Sequence, residues 1–213
     1  MTTALAQPPK STRKAKGHGH LRRAEILEAA QRIFLRDGYE GATIRKIAQD
    51  VGVSSTALYM HFSDKDEMLL EIADSAVCPL HDIISEISGQ SLDAGERLRL
   101  MLAAYSRFGL ANPSAYRLVY GSGFGELPPA RQARVNEISS RCYELFVEVA
   151  AELLADGRLR VDSADLAVRV AWGACHGLVM LRLGRADMAW EDDELLIALL
   201  LDATLGGLLK SRN

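Results

Sequence analysis

A short segment in the first third of the chain carries closely spaced side chains that can bind nucleic acid. Six residues fall on or near the outer side of a short predicted helix: Ser55, Thr56, Ala57, Tyr59, Met60 and His61. Small hydroxyl residues at the start of such a helix, followed by Tyr and His, suit insertion into a DNA major groove, where base edges present hydrogen-bonding groups. The segment therefore predicts a DNA-reading helix.

The surrounding residues predict the elements that position this helix. Apolar residues recur at helical spacing just before it, at Ile44, Ile47, Ala48 and Val51. Gly52 then permits a tight turn where a Cβ would clash, and Ser54 can cap the next helix by accepting from its first-turn N–H groups. Leu58 and Phe62 point inward from that helix. The pattern predicts a helix-turn-helix over residues 43–62.

The sequence from about Arg22 to Leu70 resembles the N-terminal domain of the TetR family of transcriptional regulators. The resemblance extends over the run RAEILEAAQRIFLRDGYEGATIRKIAQDVGVSSTALYMHFSDKDEML. It includes the framework residues Phe34, Gly38, Tyr39, Thr43 and Ile47, the LYxHF pattern and the following Lys65. The resemblance implies a three-helix DNA-binding head and a sequence-specific regulator, most often a repressor. Repressor rather than activator follows from family habit and not from residues of this chain.

The resemblance also implies individual DNA contacts. Arg45 would offer its guanidinium fork to a guanine edge or a phosphate, while Ser55 and Thr56 would meet base edges. Ala57 and Met60 would make apolar or backbone contacts. The implied phosphate contacts are Thr43, Tyr59, His61 and Lys65. Alternatives remain for these four: Tyr59 could pack inside the head, His61 could cap a helix end, Lys65 could be an ordinary first-turn residue, and Thr43 could also be a cap.

The charges are divided unevenly along the chain. The 213 residues carry a net charge of −3, but residues 1–65 hold eleven Lys/Arg against six Asp/Glu. The remainder is therefore strongly acidic. A positive end that coincides with the predicted DNA-reading helix supports electrostatic association with phosphates.

The hydrophobic periodicity predicts an all-α protein with about nine helices and no competing strand pattern. We expect a disordered basic arm at 1–20, because this stretch is polar and lacks an apolar period, and its four cations could contact phosphates or merely aid solubility. A DNA-binding domain at 21–75 and an effector-binding and dimerisation domain at 76–213 follow. Helices are predicted at Ala24–Arg36, Lys65 to about Glu86 with a bend at Pro79, Ala94–Leu110, Asn112–Tyr120, Ala130–Ala155, Ala164–Leu183 and Asp192 to about Lys210, with a loop at 121–129.

The last two predicted helices are apolar on nearly all sides and contain several small residues. A helix of this kind must be covered both within its own subunit and on its other side. The simplest arrangement is a homodimer in which each subunit contributes two helices to a four-helix interface, which is also where the resembled family dimerises. A dimer would present paired DNA-reading helices to a palindromic operator.

The segment WGACHG at 172–177 resembles the Trp-His-Gly signature of one subgroup of TetR C-terminal domains, and NPSAYRLVYG at 112–121 resembles the segment that accompanies it. Trp172 and His176 are four residues apart and share one helix face. Aromatic and Met side chains around a few polar groups could line a small-molecule pocket inside the bundle. The predicted effector-binding residues are Met101, Tyr105, Phe108, Tyr116, Arg117, Tyr120, Phe124, Trp172, His176 and Met180. The alternative is an ordinary aromatic core in which His176 ties two helices together.

Other classes of protein are disfavoured by the sequence. No signal-peptide pattern and no run of eighteen charge-free apolar residues is present, and the three widely spaced cysteines suggest buried thiols in a cytoplasmic protein. The GSGFG segment fits neither a dinucleotide fingerprint nor a P-loop, so we expect no enzyme, no cofactor and no metal site. A nucleoid-type DNA binder without an effector is the remaining rival. The sequence therefore predicts a repressor that a small hydrophobic or aromatic effector releases from DNA.

Overall fold

A computed structural model describes residues 19–120 and 129–210, and within these ranges the chain folds into nine α-helices. Their bounds are α1 Gly19–Gly41, α2 Ile44–Val51, α3 Ser55–Tyr59, α4 Lys65–Ser88, α5 Ala94–Ala111, α6 Pro113–Tyr120, α7 Pro129–Ala155, α8 Ala164–Gly184 and α9 Asp193–Leu208. Over the same ranges the backbone forms no strand, and one isolated antiparallel bridge joins Leu159 to Leu209. The predicted all-α architecture is confirmed.

The helix ends differ from the predicted ones mainly at the N-terminus. α1 begins at Gly19, so the last two residues of the predicted disordered arm are helical, while residues 1–18 lie outside the described ranges. Gly38 interrupts α1 with φ 71° and ψ 174°, a backbone conformation that side chains with a Cβ rarely adopt. α7 includes Pro129, which the sequence analysis assigned to the preceding loop; proline is favoured in a first helical turn because its missing N–H has no partner there.

Side-chain caps fix the starts of the helices that build the DNA-binding head. Thr43 accepts from the N–H of Lys46, Ser54 from that of Ala57, and Asp64 from that of Glu67. Each cap satisfies one of the first-turn donors that have no partner within the helix, which stabilises the helix by about 1 kcal/mol. Between α2 and α3, Gly52 adopts the left-handed conformation at φ 75° and ψ 36°. The local sequence thus determines the helix-turn-helix geometry.

Two hydrophobic cores divide the fold, and two helices contribute to both. The head core lies among α1, α2, α3 and the first half of α4, where Met68 and Ile72 are buried. The body core lies among α4, α5 and α7 to α9 and receives Leu80 and Ile84 from the second half of α4. α6 also joins the cores, because Leu118 packs in the head and Tyr116 packs in the body. α4 and α6 are therefore the mechanical links between head and body.

Pro79 lies inside α4, which continues without a break to Ser88. Proline has no N–H to donate to the preceding turn, so one backbone hydrogen bond of the helix is missing at this point. It lies within the part of α4 that packs in the body core, between Val77 and Leu80.

α8 and α9 leave apolar side chains uncovered. The exposed large apolar residues on these two helices are Leu166, Val170, Leu181, Leu195 and Leu199. Gly173 and Gly206 are also exposed, with open space where a Cβ would lie. Among the described helices, α8 is long and apolar enough to cross a membrane by length and composition alone, although the sequence analysis predicted no such helix. Its other side packs in the body core through Ala171, Cys175 and Val179.

Candidate DNA-binding and effector-binding sites

The predicted DNA-reading helix presents the expected face to solvent. Tyr59 is 56% exposed and Met60 is 84% exposed, whereas Leu58, between the two exposed positions Thr56 and Met60, is fully buried. A large apolar side chain such as that of Met60 gains nothing from exposure to water, so its position suits a surface that is covered when a partner binds. The remaining predicted base-reading residues, Ser55 and Ala57, are half-buried.

The predicted phosphate contacts lie around the same helix in different environments. Thr43 is exposed and its hydroxyl caps α2, so the predicted capping role is confirmed. Arg45 is exposed in the first turn of α2. His61 is half-buried, and its backbone N–H donates to the carbonyl of Leu58 at 2.9 Å at the end of α3. Thr43 and Arg45 are thus accessible to a bound duplex, while His61 is only partly so.

Lys65, predicted to contact a phosphate, also has a structural role in the head through hydrogen bonds to two backbone carbonyls. Its Nζ donates to the carbonyl of Tyr39 at 2.8 Å and to that of Ala42 at 3.3 Å. The same nitrogen lies 3.9 Å from the centroid of the Tyr39 ring, in cation–π geometry. An ammonium group has three donors, so one N–H remains after these two bonds. Lys65 therefore ties the start of α4 to the segment before α2.

Arg23 links α1 to α4 and to the end of α3, a role that the sequence pattern does not predict. Its guanidinium donates to the carboxylates of Glu67 and Glu71 and to the carbonyl of His61, and it lies 4.0 Å from the centroid of the Phe62 ring. Hydrogen bonds to the carboxylate of Glu71 raise the pKa of Arg23. A single basic residue on α1 thus fixes the end of α3 against α4. Its position four residues before Leu27 in the helical pattern gave no sign of this role.

The predicted effector residues of α5, α6 and α8 come together as a packed aromatic cluster. Tyr105 is at its centre, with ring centroids 5.8 Å from Tyr116, 5.7 Å from Tyr120 and 6.2 Å from Trp172. Trp172 also lies 5.6 Å from the ring of His176. Offset and edge-to-face pairs of this kind each contribute about 0.5–1.5 kcal/mol beyond the burial of their area. Two aromatic residues that the sequence analysis did not name, Tyr143 and Phe146 of α7, complete the cluster.

A chain of hydrogen bonds runs through this cluster. The hydroxyl of Tyr105 lies 2.8 Å from that of Tyr116, which lies 2.7 Å from Nδ1 of His176. Burial lowers the pKa of His176, so its ring is neutral near pH 7 and one nitrogen accepts. With the ring proton on Nε2, Nδ1 accepts from the hydroxyl of Tyr116; with the proton on Nδ1, the ring donates to that hydroxyl instead. Burial also raises the pKa of both tyrosines, which keeps their hydroxyls protonated as donors.

The other predicted effector residues are dispersed. Met101 is fully buried, Met180 is half-buried, and Arg117 is exposed and donates to the carbonyl of Leu183 at the end of α8. Phe108 packs against the body core and also lines a groove between α4 and α5. Phe124 falls outside the described residues. Sequence spacing thus located the aromatic cluster; of the other described residues, Met101, Phe108 and Met180 pack in or against the same core, and Arg117 does not.

The cluster is closed in this structure. Tyr105 and Tyr116 are 1% and 0% exposed, so an effector could enter among them only if these rings moved apart. The alternative role suggested by the sequence, a hydrogen bond from His176 that ties helices together, is present: His176 of α8 is bonded to Tyr116 of α6. Within the described residues, no group of three or more His, Cys, Asp or Glu side chains could hold a metal ion.

The three cysteines are all free thiols. Cys142 and Cys175 are buried and Cys78 is half-buried. Burial raises the pKa of Cys142 to about 12, so this thiol stays protonated and unreactive at neutral pH.

Comparison with known proteins agrees with this arrangement. Residues 26–72 match a family model described as bacterial regulatory proteins of the tetR family, and residues 98–204 match one described as a tetracyclin repressor-like C-terminal domain. The nucleoid occlusion factor SlmA of Yersinia enterocolitica is 31% identical over 160 residues, which cover 74% of this chain and 81% of that protein.

Two further similarities concern the head and the whole fold. The HTH-type transcriptional repressor AcnR of Corynebacterium diphtheriae is 42% identical over 66 residues, 31% of this chain and only 35% of that protein. The crystal structure of the TetR family regulator PfmR from Thermus thermophilus is 27% identical with a TM-score of 0.69, covering 85% of this chain and 97% of that chain. This chain therefore belongs to the TetR family and is a DNA-binding transcriptional regulator, not an enzyme.

Proposed function

We propose that this regulator is a homodimeric repressor that leaves a palindromic operator when a small hydrophobic or aromatic effector binds. The observation that carries the DNA-binding part is the outer face of α3, where Thr56, Tyr59 and Met60 are exposed beside the buried Leu58. We assign base contacts to this face and to Arg45. Phosphate contacts are assigned to Thr43, Tyr59, His61 and Lys65.

The distribution of charge supports this orientation on DNA. Residues 1–65 carry eleven basic and six acidic side chains, whereas the whole chain has 25 basic and 28 acidic ones. The body is therefore acidic and is repelled by phosphates, so that the head alone is drawn to the duplex. We also assign the protein to the cytoplasm, where its proposed DNA partner lies.

The uncovered apolar surface of α8 and α9 supports the homodimer. Leu166, Val170 and Leu181 on α8 recur at helical spacing, as do Leu195 and Leu199 on α9. Two copies of this surface would bury one another around a two-fold axis. Gly173 and Gly206 would let the helices approach closely. The same association explains why α8 resembles a membrane span in composition: its second apolar side faces the partner.

The two shared helices support communication between effector and head. α6 places Tyr116 in the aromatic cluster and Leu118 in the head core, so a shift of this helix moves both. An effector changes the DNA-binding equilibrium only by its different affinity for the two states, and a shift from 1:99 to 99:1 requires about 5.5 kcal/mol. Separation of the aromatic rings around Tyr105 is the change that we expect effector binding to drive.

The finer classification of the chain is part of the proposal. The segment WGACHG and the pairing of Tyr116 with His176 support membership of the Trp-His-Gly subgroup. We keep the domain bounds at 1–20 for the arm, 21–75 for the head and 76–213 for the body. The family matches at residues 26–72 and 98–204 lie within the last two of these ranges.

Selection of DNA from a random pool by the purified protein tests the repressor proposal. We expect a palindrome with half-sites about one helical turn apart, bound by dimers, with affinity that falls steeply with salt. Salt-sensitive binding without an enriched sequence would contradict it. That outcome would instead support a nucleoid-associated role, which the similarity to SlmA makes the second candidate.

Paired tryptophan variants test the effector site once an operator and an inducing compound are in hand. The chain has two tryptophans: Trp172 is in the aromatic cluster, while Trp190 follows α8 and its Nε1 donates to the carbonyl of Arg185. We expect Trp172→Ala to blunt induction while DNA binding is retained, and Trp190→Ala to leave induction unchanged. Full induction of Trp172→Ala would exclude the cluster as the effector site.

A further inference from the structure

An apolar groove of about 570 Å³ lies between the second half of α4 and the outer face of α5, away from the aromatic cluster. Its walls are formed by Ile83, Ile87, Gln90, Leu100, Ala104, Arg107, Phe108, Ala111 and Asn112. The volume falls within the usual range for small-molecule sites, about 300–1,000 Å³. Along α5 the lining runs from Leu100 to Asn112, a distance of about 18 Å at 1.5 Å per residue.

The residues of α5 explain why this surface is hollow. Leu100, Ala104, Phe108 and Ala111 recur every three or four residues and form one face of the helix, opposite the face that buries Leu98 and Leu102. Two of the four are alanines, which leave the space that larger side chains would fill. Across the groove, Ile83 of α4 remains 45% exposed. An elongated apolar surface of this kind indicates a site that is covered when a ligand binds.

Arg107 supplies the charge at this groove. Its Nε and Nη2 donate to the two carboxylate oxygens of Glu194 at 2.7 and 2.6 Å. A guanidinium has five N–H donors, so three remain after the hydrogen bonds found in the described part of the chain. The side chain is 51% exposed, which leaves these donors accessible. Arg107 can therefore bind a second carboxylate beside that of Glu194.

The lining selects among classes of ligand. A cation is disfavoured because Arg107 is the charged group that lines the groove. A polar ligand is disfavoured because six of the nine lining residues are apolar. A flat aromatic ligand is also disfavoured, because Phe108 is the one ring among the lining residues and could stack on one face at most. An extended hydrocarbon chain with one terminal anion satisfies all three conditions.

We propose that this groove binds a linear amphipathic carboxylate, with its hydrocarbon chain along α5 and its carboxylate on Arg107. The inference rests on the proposed function in that it names a ligand class for an effector-responsive regulator. Glu194 lies in the first turn of α9, next to the exposed Leu195. A ligand carboxylate on the remaining donors shares the Arg107 charge with Glu194, weakens the ion pair between α5 and α9 and so affects the surface assigned to the dimer.

Titration calorimetry of the full chain with dodecanoate, below its micelle concentration, tests the proposal. Arg107→Gln should weaken binding about tenfold to a hundredfold, as expected for loss of hydrogen bonds to a charged group, about 1.5–3 kcal/mol. Arg99→Gln is the matched control, because Arg99 also joins α5 to α9 by an ion pair, with Asp202 at 2.7 Å, but does not line the groove. It should bind dodecanoate as the unmodified protein does.

A second variant and a second probe test the hydrocarbon part. Ala104→Leu should fill the groove and weaken dodecanoate binding, and dodecyltrimethylammonium should bind far more weakly than dodecanoate to the unmodified protein. Absence of dodecanoate binding, equal binding to Arg107→Gln and Arg99→Gln, or preference for the cation would each overturn the proposal. A change in oligomeric state in Ala104→Leu with dodecanoate binding unaltered would also overturn it, because the groove would then be covered by a second copy.

DNA binding separates this inference from the proposed function. Dodecanoate binding that depends on Arg107 but does not release operator DNA would support the groove and contradict its role as the inducing site. Release of the operator by another compound, with no dodecanoate binding, would support the repressor and contradict the groove. The two failures are therefore distinguishable.

Discussion

Tyr116 and Leu118 are two residues apart on α6, yet they are buried in different cores. The hydroxyl of Tyr116 lies 2.7 Å from Nδ1 of His176 in the body, while Leu118 packs in the head. Successive positions of a helix point in different directions, so one short helix can join two cores. A rearrangement of the aromatic cluster that moved this helix of eight residues would therefore also move a side chain of the head core.

Replacement of Tyr59 tests the assigned DNA contact. Tyr59→Ala should weaken operator binding by about 1–2 kcal/mol without a change in thermal stability, because this side chain is 56% exposed and supports little of the head core. Leu154→Ala serves as the control, because Leu154 is also an exposed apolar residue but lies on α7 in the body, and this variant should bind the operator as the unmodified protein does. Affinity is measured by titration of labelled operator at several salt concentrations; unchanged affinity with an unchanged salt slope would exclude Tyr59 from the interface.

Lys65→Ala should lower both stability and operator affinity. The predicted phosphate contact implies weaker operator binding, and the bonds from Nζ to the carbonyls of Tyr39 and Ala42 add a structural cost of about 1–2 kcal/mol. Urea unfolding measures the first effect and operator titration the second. Lys46→Ala is the comparison, since the exposed side chain of Lys46 bonds the carboxylate of Asp37 and only one carbonyl, that of Gly41. If Lys65→Ala unfolds at the same urea concentration as the unmodified protein, the structural role is wrong.

Leu199→Asp should dissociate the dimer. Leu199 is 56% exposed on α9, and a two-fold interface would bury an introduced carboxylate from each copy without a partner, at several kcal/mol in total. Sedimentation equilibrium should therefore show monomers at concentrations where the unmodified protein is dimeric. Leu154→Asp should remain dimeric. A dimeric Leu199→Asp protein would place the interface elsewhere.

Gly109→Ala should destabilise the body by about 1–3 kcal/mol, the usual cost of overpacking a core. A Cβ at this position would lie 2.7 Å from Cγ1 of Val179 and 2.8 Å from the Tyr116 ring, so one of them must move. Gly89→Ala is the contrast, because a Cβ there would make only ordinary contacts, at 3.8 Å, and Gly89 lies outside the surface assigned to the dimer. Thermal unfolding compares the two variants. An equal melting temperature for Gly109→Ala and the unmodified protein would show that α5 and α6 are less closely packed.

His176 should make stability depend on pH. Burial lowers the pKa of His176 in the folded protein below its value in the unfolded chain, about 6.5, so the unfolded state binds more protons in the window between the two. The stability associated with neutral, buried His176 is fully present above about pH 6.5 and is lost as the pH falls through this window. The free energy of unfolding, measured with urea at pH 7.5 and at pH 5.5, should change less between the two pH values for His176→Gln than for His81→Gln. Equal differences would contradict the assignment.

The sequence predicted the elements of the fold closely, because their signals are local. Thr43, Ser54, Gly52 and Asp64 act within one or two turns of their own position, and the structure places all four where helices begin or end. Hydrophobic periodicity located the remaining helices for the same reason. The spacing of Trp172 and His176 also placed them correctly in one cluster.

Contacts between residues far apart in the chain became visible only in the tertiary structure. The sequence gives no sign that Arg23 meets Glu71, or that Lys65 bonds carbonyls more than twenty residues away. Helical spacing assigned Phe108 to the face of Met101 and Tyr105, but α4 packs against α5 so that Phe108 lines a separate groove. The sequence by itself thus determined the helices, the DNA-binding head and the family. Only the packing of helices against one another decided which side chains close a core and which line a site, because those contacts join residues that lie far apart in the chain.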